Sequence, residues 1–256
     1  MAGRLRRCWP AEMSEVVFFA MLLAVGILSG ATAAVIGFGI GSLLTPFLLT
    51  RLEPHLAIAV VALPHLIATG IRYVHYRQWV NRTVLLRFGV PSAAGGLLGA
   101  LLQGTIRSAA LVSVLAIVLI LTGVANLTRG FGGWRPGSMV ASILGLLSGV
   151  FGGLVGNQGG LRAAGLTAFA LEPRAYLATA TAVALLIDAA RTPVYLARGA
   201  EALVGLAAPI AVATVGCIAG TIIGERVFFR IPADRYRKLV GVAVIALGVW
   251  LFASTP

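Results

Sequence analysis

Residues 37–49 read Gly-Phe-Gly-Ile-Gly-Ser-Leu-Leu-Thr-Pro-Phe-Leu-Leu. Three glycines within five positions interrupt an apolar run that begins near residue 15. A shorter apolar arm follows and leads into Leu52-Glu53-Pro54. The second half repeats the arrangement: Gly156-Asn157-Gln158-Gly159-Gly160 follows an apolar run, and its arm leads into Leu171-Glu172-Pro173. Glycine lets a backbone turn sharply and approach a ligand closely. The arms, 39–50 and 160–171, are too short to be comfortable full spans, because a helix needs about 20 residues to cross a bilayer. They read as half-helices or re-entrant arms.

Around these breaks lie apolar stretches of spanning length at roughly 15–36, 55–74, 84–104, 108–127, 137–155, 175–195, 202–223 and 238–254. The chain has 256 residues, 59% hydrophobic, with 20 Lys+Arg against 8 Asp+Glu and a mean hydropathy of +0.98. Soluble domains carry about 45–50% apolar and about 25% charged residues. That balance excludes a soluble enzyme, a nucleic-acid-binding domain and a disordered chain. The net charge of +12 then reads as topology, since basic residues collect in cytoplasmic loops. The expected fold is all-α: a polytopic integral membrane protein with eight spans, or ten if the glycine-broken arms cross.

Sliding the sequence by 119 residues superposes its two halves. Ser29-Gly30 falls on Ser148-Gly149, Gly37 on Gly156, Gly41 on Gly160, Glu53-Pro54 on Glu172-Pro173, Arg72 on Arg191 and Tyr76 on Tyr195. Apolar bias does not produce the Glu-Pro, Arg and Tyr matches. The expected organisation is a tail at 1–14, repeat one at 15–128, a Gly/Arg-rich linker at 129–136 and repeat two at 137–256. Five crossings per repeat would invert the second copy. Arg77, Arg82 and Arg87 then share a side with Arg226, Arg230, Arg235, Arg237 and Lys238, and the loops near 105–107 and 196–201 face the other side. In this scheme Arg4, Arg6 and Arg7 fall on the opposite side from those clusters. Ala31-Thr32-Ala33 resembles a signal-peptidase site, but cleavage there would remove part of a repeat, so an uncleaved segment is expected. Cys8 and Cys217 have no neighbouring His or acid cluster, so neither a metal site nor a disulfide framework is expected.

The chemistry concentrates at the breaks. An arm that starts after a glycine cluster opens with free N–H groups and the positive end of a helix dipole, a combination that favours anions. Candidate substrate-binding residues are Gly37, Gly39 and Gly41 from repeat one, and Gly156, Asn157, Gln158, Gly159, Gly160 and Arg162 from repeat two. The alternative is that the glycines only allow close helix packing. Arg162 lies in an otherwise apolar arm. A guanidinium there can hold an oxyanion in bidentate fashion, or snorkel to an interface. Asp188 is the one acid well inside a clear span and shares a helix face with Arg191. It reads as an internal ion pair with Arg191, a proton-coupling carboxylate or a counter-charge to Arg162. Thr179 and Thr181 could line a polar path on the same helix. His65 could carry a proton. His55 and His75 sit near span ends. Glu53 and Glu172 read as caps of the helices whose first turns hold the prolines.

The signature at 37–49, its place after the first apolar helix and its repetition near 156 resemble the sulfite exporter TauE/SafE family of membrane transporters, across about 16–254. The second copy departs from the family pattern: Gly165 stands where Pro46 stands in the first, and Asn157, Gln158 and Arg162 add polarity. The resemblance implies a prokaryotic-type inner-membrane permease for small anions such as sulfite or organosulfonates, with protons as a coupling ion. The expected function is gradient-driven alternating access for a small anion within the lipid bilayer. No cofactor, catalytic residue or nucleic-acid partner is expected, because no hydrolytic or nucleotide-binding motif appears. The competing readings are a non-catalytic membrane subunit, or a carrier of a small carboxylate or cation.

Overall fold

The computed structural model describes residues 14–128, 137–227 and 233–254. Most of the tail, with Arg4, Arg6, Arg7 and Cys8, and the linker at 129–136 lie outside the described residues, as does Arg230. The described elements are helical: α1 (Glu15–Ile36), α2 (Ile40–Leu48), α3 (Pro54–Tyr76), α4 (Arg82–Val84), α5 (Val90–Gln103), α6 (Ser108–Leu127), α7 (Ser138–Val155), α8 (Gly159–Leu166), α9 (Pro173–Gly205), α10 (Ala207–Val227) and α11 (Ala233–Ser254). A π turn, Leu85–Gly89, joins α4 to α5 in one helix, Arg82–Gln103. Eight helices among the described residues are long and apolar enough to cross a membrane, and α2 and α8 are the two short arms. The chain is thus a polytopic all-α membrane protein.

Local sequence explains the breaks. α1 ends at Gly37 in the left-handed region (φ 86°), and α7 ends at Gly156 in the same conformation (φ 75°). Gly39 has φ 141° just before α2. These values are strained for residues with a side chain. α3 and α9 each start on a proline, which has no N–H to lose at a first turn. Glu53 and Glu172 occupy the N-cap positions as expected, but neither side chain makes a capping hydrogen bond. The helices there are started by the prolines and an extended N-cap backbone.

One expected loop is absent. Residues 196–201 continue α9, which bends at Gly199 (φ −146°, ψ 30°) and ends only at Gly205. The Ala, Leu, Arg and Glu of this stretch are good helix formers, and the single glycine bends the helix without ending it.

Glycine seams hold the bundle together. Gly26 lies against Ala213 and Gly216, and Gly30 against Cys217 and Thr221, so α1 and α10 run in the same direction. Gly95 meets Leu146 and Val150, and Gly99 meets Val150 and Leu154, so α5 and α7 also run together. α6 and α11 cross in opposite directions: Gly123 meets Gly241, and Gly248 meets Ala116. α3 and α9 are likewise antiparallel, with His65 bonded to Asp188 and Arg72 to Thr181. Small residues at fourfold spacing let backbones touch, and in lipid such close packing drives helix association. A Cβ at Gly149 would overlap the carbonyl oxygen of Ser92, whereas one at Gly205 meets nothing within 4 Å. Gly149→Ala is therefore expected to destabilise by about 1–3 kcal/mol, the usual range for overpacking. Gly205→Ala should leave the thermal midpoint in detergent almost unchanged. Equal midpoints for the two variants would show that the seam does not limit stability.

The helix directions also fix what the short arms do. Glu225 near the end of α10 faces Arg72 and Tyr76 near the end of α3, so α3 runs with α10 and hence with α1. In the other half Gly96 meets Ile187 and Gly104 meets Arg198, so α9 runs with α5 and hence with α7. Each arm and the turn after it therefore return the chain to the side from which the preceding helix set out.

Candidate functional site

The two breaks meet. A Cβ on Gly41 would overlap the carbonyl oxygen of Gly156, and one on Gly159 would enter the ring of Phe38. Arg162 Nη2 donates to the carbonyl of Gly37 at 2.8 Å, tying the second arm to the first break. Thr45 Oγ1 and Arg191 Nη1 both lie beside Gly156. The sequence-derived residues Gly37, Gly39, Gly41, Gly156, Asn157, Gln158, Gly159, Gly160 and Arg162 thus belong to one junction at which α2 and α8 both begin. The first N–H groups of each arm have no partner within their own helix.

Behind this junction α3 and α9 carry a buried charge cluster. Asp188 accepts from Arg191 Nε at 3.0 Å and pairs with Arg191 Nη2 at 2.9 Å through the same carboxylate oxygen. Its other oxygen meets His65 Nδ1 at 2.5 Å. Thr69 Oγ1 lies 3.3 Å from that ring nitrogen. Arg191 Nη1 donates to the carbonyl of Gly152 at 2.5 Å, and the Tyr195 hydroxyl donates to that of Gly153. Asp188 and Arg191 are both 0% exposed. A buried carboxylate is tolerable when charge and hydrogen bonds surround it in this way.

Of the three roles the sequence left open for Asp188, the ion pair with Arg191 is formed. Arg162 makes no hydrogen bond to Asp188; its bonded partner is the Gly37 carbonyl. Arg162 is nevertheless within electrostatic range of Asp188 and His65. Arg162 and Arg72 are each 3% exposed and close enough to repel one another. Arg72 Nη2 donates to Thr181 Oγ1 at 2.9 Å. Thr179 instead accepts from the backbone of Asn81 at 3.0 Å, so it fastens the turn after α3 and is spent on structure. His55 and His75 stand apart from the cluster, with His75 bonded to its own helix.

Two features escape a reading by linear spacing. His65 meets Asp188 across 123 residues, and nothing in the sequence marks the pair. Arg72 is marked, as the counterpart of Arg191 at the 119-residue offset, but Thr69 stands at Asp188's place beside it. Arg191 is ion-paired with a carboxylate on its own helix, whereas the carboxylate that faces Arg72 comes from Glu225 of α10.

Several buried polar atoms in this region have no hydrogen-bond partner among the described residues: Arg162 Nη1, Arg72 Nε, Asn157 Nδ2, both amide atoms of Gln158 and Thr45 Oγ1. Most are donors. Among the described residues Asp188 is paired with Arg191 and Glu225 faces Arg72, which leaves Arg162 as the buried guanidinium with no carboxylate bonded to it. A cleft of about 350 Å³ reaches the same break from the α6 side, where Asn157, Gln158 and Gly160 meet Val118 and Leu121. It touches the break rather than the Asp188 cluster.

A family model described as sulfite exporter TauE/SafE matches residues 22–251. No curated protein and no solved structure matched the chain. The matched segment includes both breaks, both arms and the charge cluster. By that match the chain belongs to the sulfite exporter TauE/SafE family, a family of membrane transporters.

Proposed function

We propose that this protein carries a small anion, sulfite or an organosulfonate, across a prokaryotic inner membrane by gradient-driven alternating access. The observation that carries the reading is Arg162: a buried guanidinium at the junction of two broken helices, with Nη1 unpartnered and no carboxylate bonded to it. An oxyanion there would accept from Nη1 and from the first N–H groups of α2 and α8 around Gly39–Gly41 and Gln158–Gly160. Asp188, held by Arg191 and His65, serves as the coupling carboxylate, with protons as the coupling ion.

The two halves act as inverted repeats in this scheme. Supporting this, helices at matched positions, α3 with α9 and α6 with α11, run in opposite directions, and α1 packs on α10 as α7 packs on α5. Rocking one half against the other would open the junction to each side in turn.

The test is flux in proteoliposomes. Wild type should take up sulfite down an imposed gradient, and Arg162→Ala should lose most of that uptake. Uptake by Arg162→Ala at the wild-type rate would contradict the assignment, and no flux of any anion by wild type would favour a non-transporting membrane subunit.

A further inference from the structure

Arg191 and Tyr195 also hold the end of α7. Arg191 Nη1 donates to the carbonyl of Gly152 at 2.5 Å, and the Tyr195 hydroxyl donates to that of Gly153. Both carbonyls belong to the last turn before the break at Gly156, where a helix runs out of backbone donors. The Gly152 oxygen also takes the Gly156 N–H at 3.1 Å. Two side chains of α9 thus clamp the second break, and α9 packs directly on α7.

The 119-residue offset places Arg72 on Arg191, Tyr76 on Tyr195, and Ala33 and Ala34 on Gly152 and Gly153. The first break has the same backbone: α1 ends at a left-handed Gly37, whose N–H goes to the carbonyl of Ala33 at 3.0 Å. The side chains are arranged differently. Arg72 Nη2 donates to Thr181, and Arg72 Nε is buried without a hydrogen-bond partner among the described residues. Tyr76 faces Glu225 and leans on Trp79, with ring centroids 6.0 Å apart. Neither reaches the carbonyls of Ala33 and Ala34. Tyr195 is 3% exposed, whereas Tyr76 is only half-buried. α3 has no packing on α1 comparable to that of α9 on α7. One sequence pattern therefore stands in two conformations, engaged in the second half and released in the first.

The two pairs lie on opposite sides of the His65–Asp188 contact. α3 and α9 are antiparallel, so Arg72 meets Thr181, which precedes Asp188, while Arg191 and Tyr195 follow it. Engaging a pair draws its helix onto the neighbouring break and narrows the bundle on that side only. We propose that Arg72 and Tyr76 are positioning residues of transport: in the state open to the opposite side they close on the carbonyls of Ala33 and Ala34, while Arg191 and Tyr195 release Gly152 and Gly153. Arg191 keeps Asp188 throughout. The proposal rests on the alternating-access reading and names the hydrogen bonds that exchange when access changes sides. Bonds of the same kind are made in one half and broken in the other, so the two states stay close in free energy.

The test places nitroxide labels at offset-matched exposed positions, Leu28→Cys with Arg77→Cys and Leu147→Cys with Leu196→Cys. The full chain carries Cys8→Ser and Cys217→Ala and sits in nanodiscs, and pulsed dipolar spectroscopy reads the distance within each pair. Wild type should show a short and a long population in each pair, in opposite proportions in the two halves. Tyr195→Phe should favour the short distance in the first half and the long one in the second, by about fivefold in the population ratio, the size of one net hydrogen bond. Tyr76→Phe should shift both pairs the other way, and Tyr76→Leu provides a second variant should the first not fold. A tyrosine that only supports packing would not reverse the sign between the halves. Populations unchanged by Tyr76→Phe, or moved in the same direction as by Tyr195→Phe, would overturn the clamp and leave alternating access standing. A single distance for each pair in wild type and in both variants would overturn both.

Discussion

Asp188→Ala is expected to cost about 3–5 kcal/mol, the range for removing one partner of a buried ion pair. The loss comes from what is left behind. Arg191 would keep its charge in a site with 0% exposure, left with the Gly152 carbonyl and Tyr195 and with no bonded carboxylate. His65 would lose its 2.5 Å contact as well. The expected readout is a large fall in thermal midpoint, or failure to recover monodisperse protein from the membrane. Asp188→Leu combined with Arg191→Met removes both charges and should recover part of the loss, because well-packed apolar pairs replace buried ion pairs at little cost. Anion flux should not return with stability. A single Asp188→Ala variant as stable as wild type would show that the cluster does not bear on folding.

Arg162→Ala is expected to behave in the opposite way. Arg162 is as deeply buried, yet its one bonded partner is a carbonyl, and Arg72 repels it. Removing it relieves a desolvated, unpaired charge while forfeiting one hydrogen bond and some packing. The ligand-free protein should therefore stay within about 1 kcal/mol of wild type, the size of a single net hydrogen bond. Anion affinity should fall by roughly tenfold to a hundredfold, as for the loss of a charge-assisted hydrogen bond of about 1.5–3 kcal/mol. Arg72→Gln should also weaken anion binding, since Arg72 Nε is buried without a hydrogen-bond partner and its charge lies close to Arg162. A stability loss for Arg162→Ala as large as that for Asp188→Ala would make Arg162 a structural residue.

The contrast between these two residues also marks how far the sequence could be read. The breaks are visible because a glycine cluster interrupts a helix that the surrounding apolar residues would otherwise continue. The 119-residue offset then places Gly37 on Gly156 and Pro54 on Pro173. Both glycines adopt the left-handed conformation and both prolines start helices. The Asp188–Arg191 pair is visible as three-residue helical spacing. The third member, His65, is not, because antiparallel packing of α3 on α9 sets that contact and no local pattern encodes it. Glycines at fourfold spacing on α1, α5, α7 and α10 announce close packing but not which helix meets which. Apolar stretches mislead at 196–201, where the gap between 175–195 and 202–223 suggests a loop although the stretch has high helix propensity. Arg198 there spans to the carbonyls of Ala100 and Leu101 and closes the end of α5.

The central claim is that a buried guanidinium with one nitrogen unpartnered, at the meeting point of two broken helices, holds the anion. The most direct measurement is the shift in thermal midpoint of purified protein on titration with sulfite, made in parallel on wild type and Arg162→Ala. The account predicts a saturable rise for wild type, by mass action on the folded state, and none for the variant over the same concentrations. A rise of equal size in both proteins would contradict it and would move the anion away from Arg162.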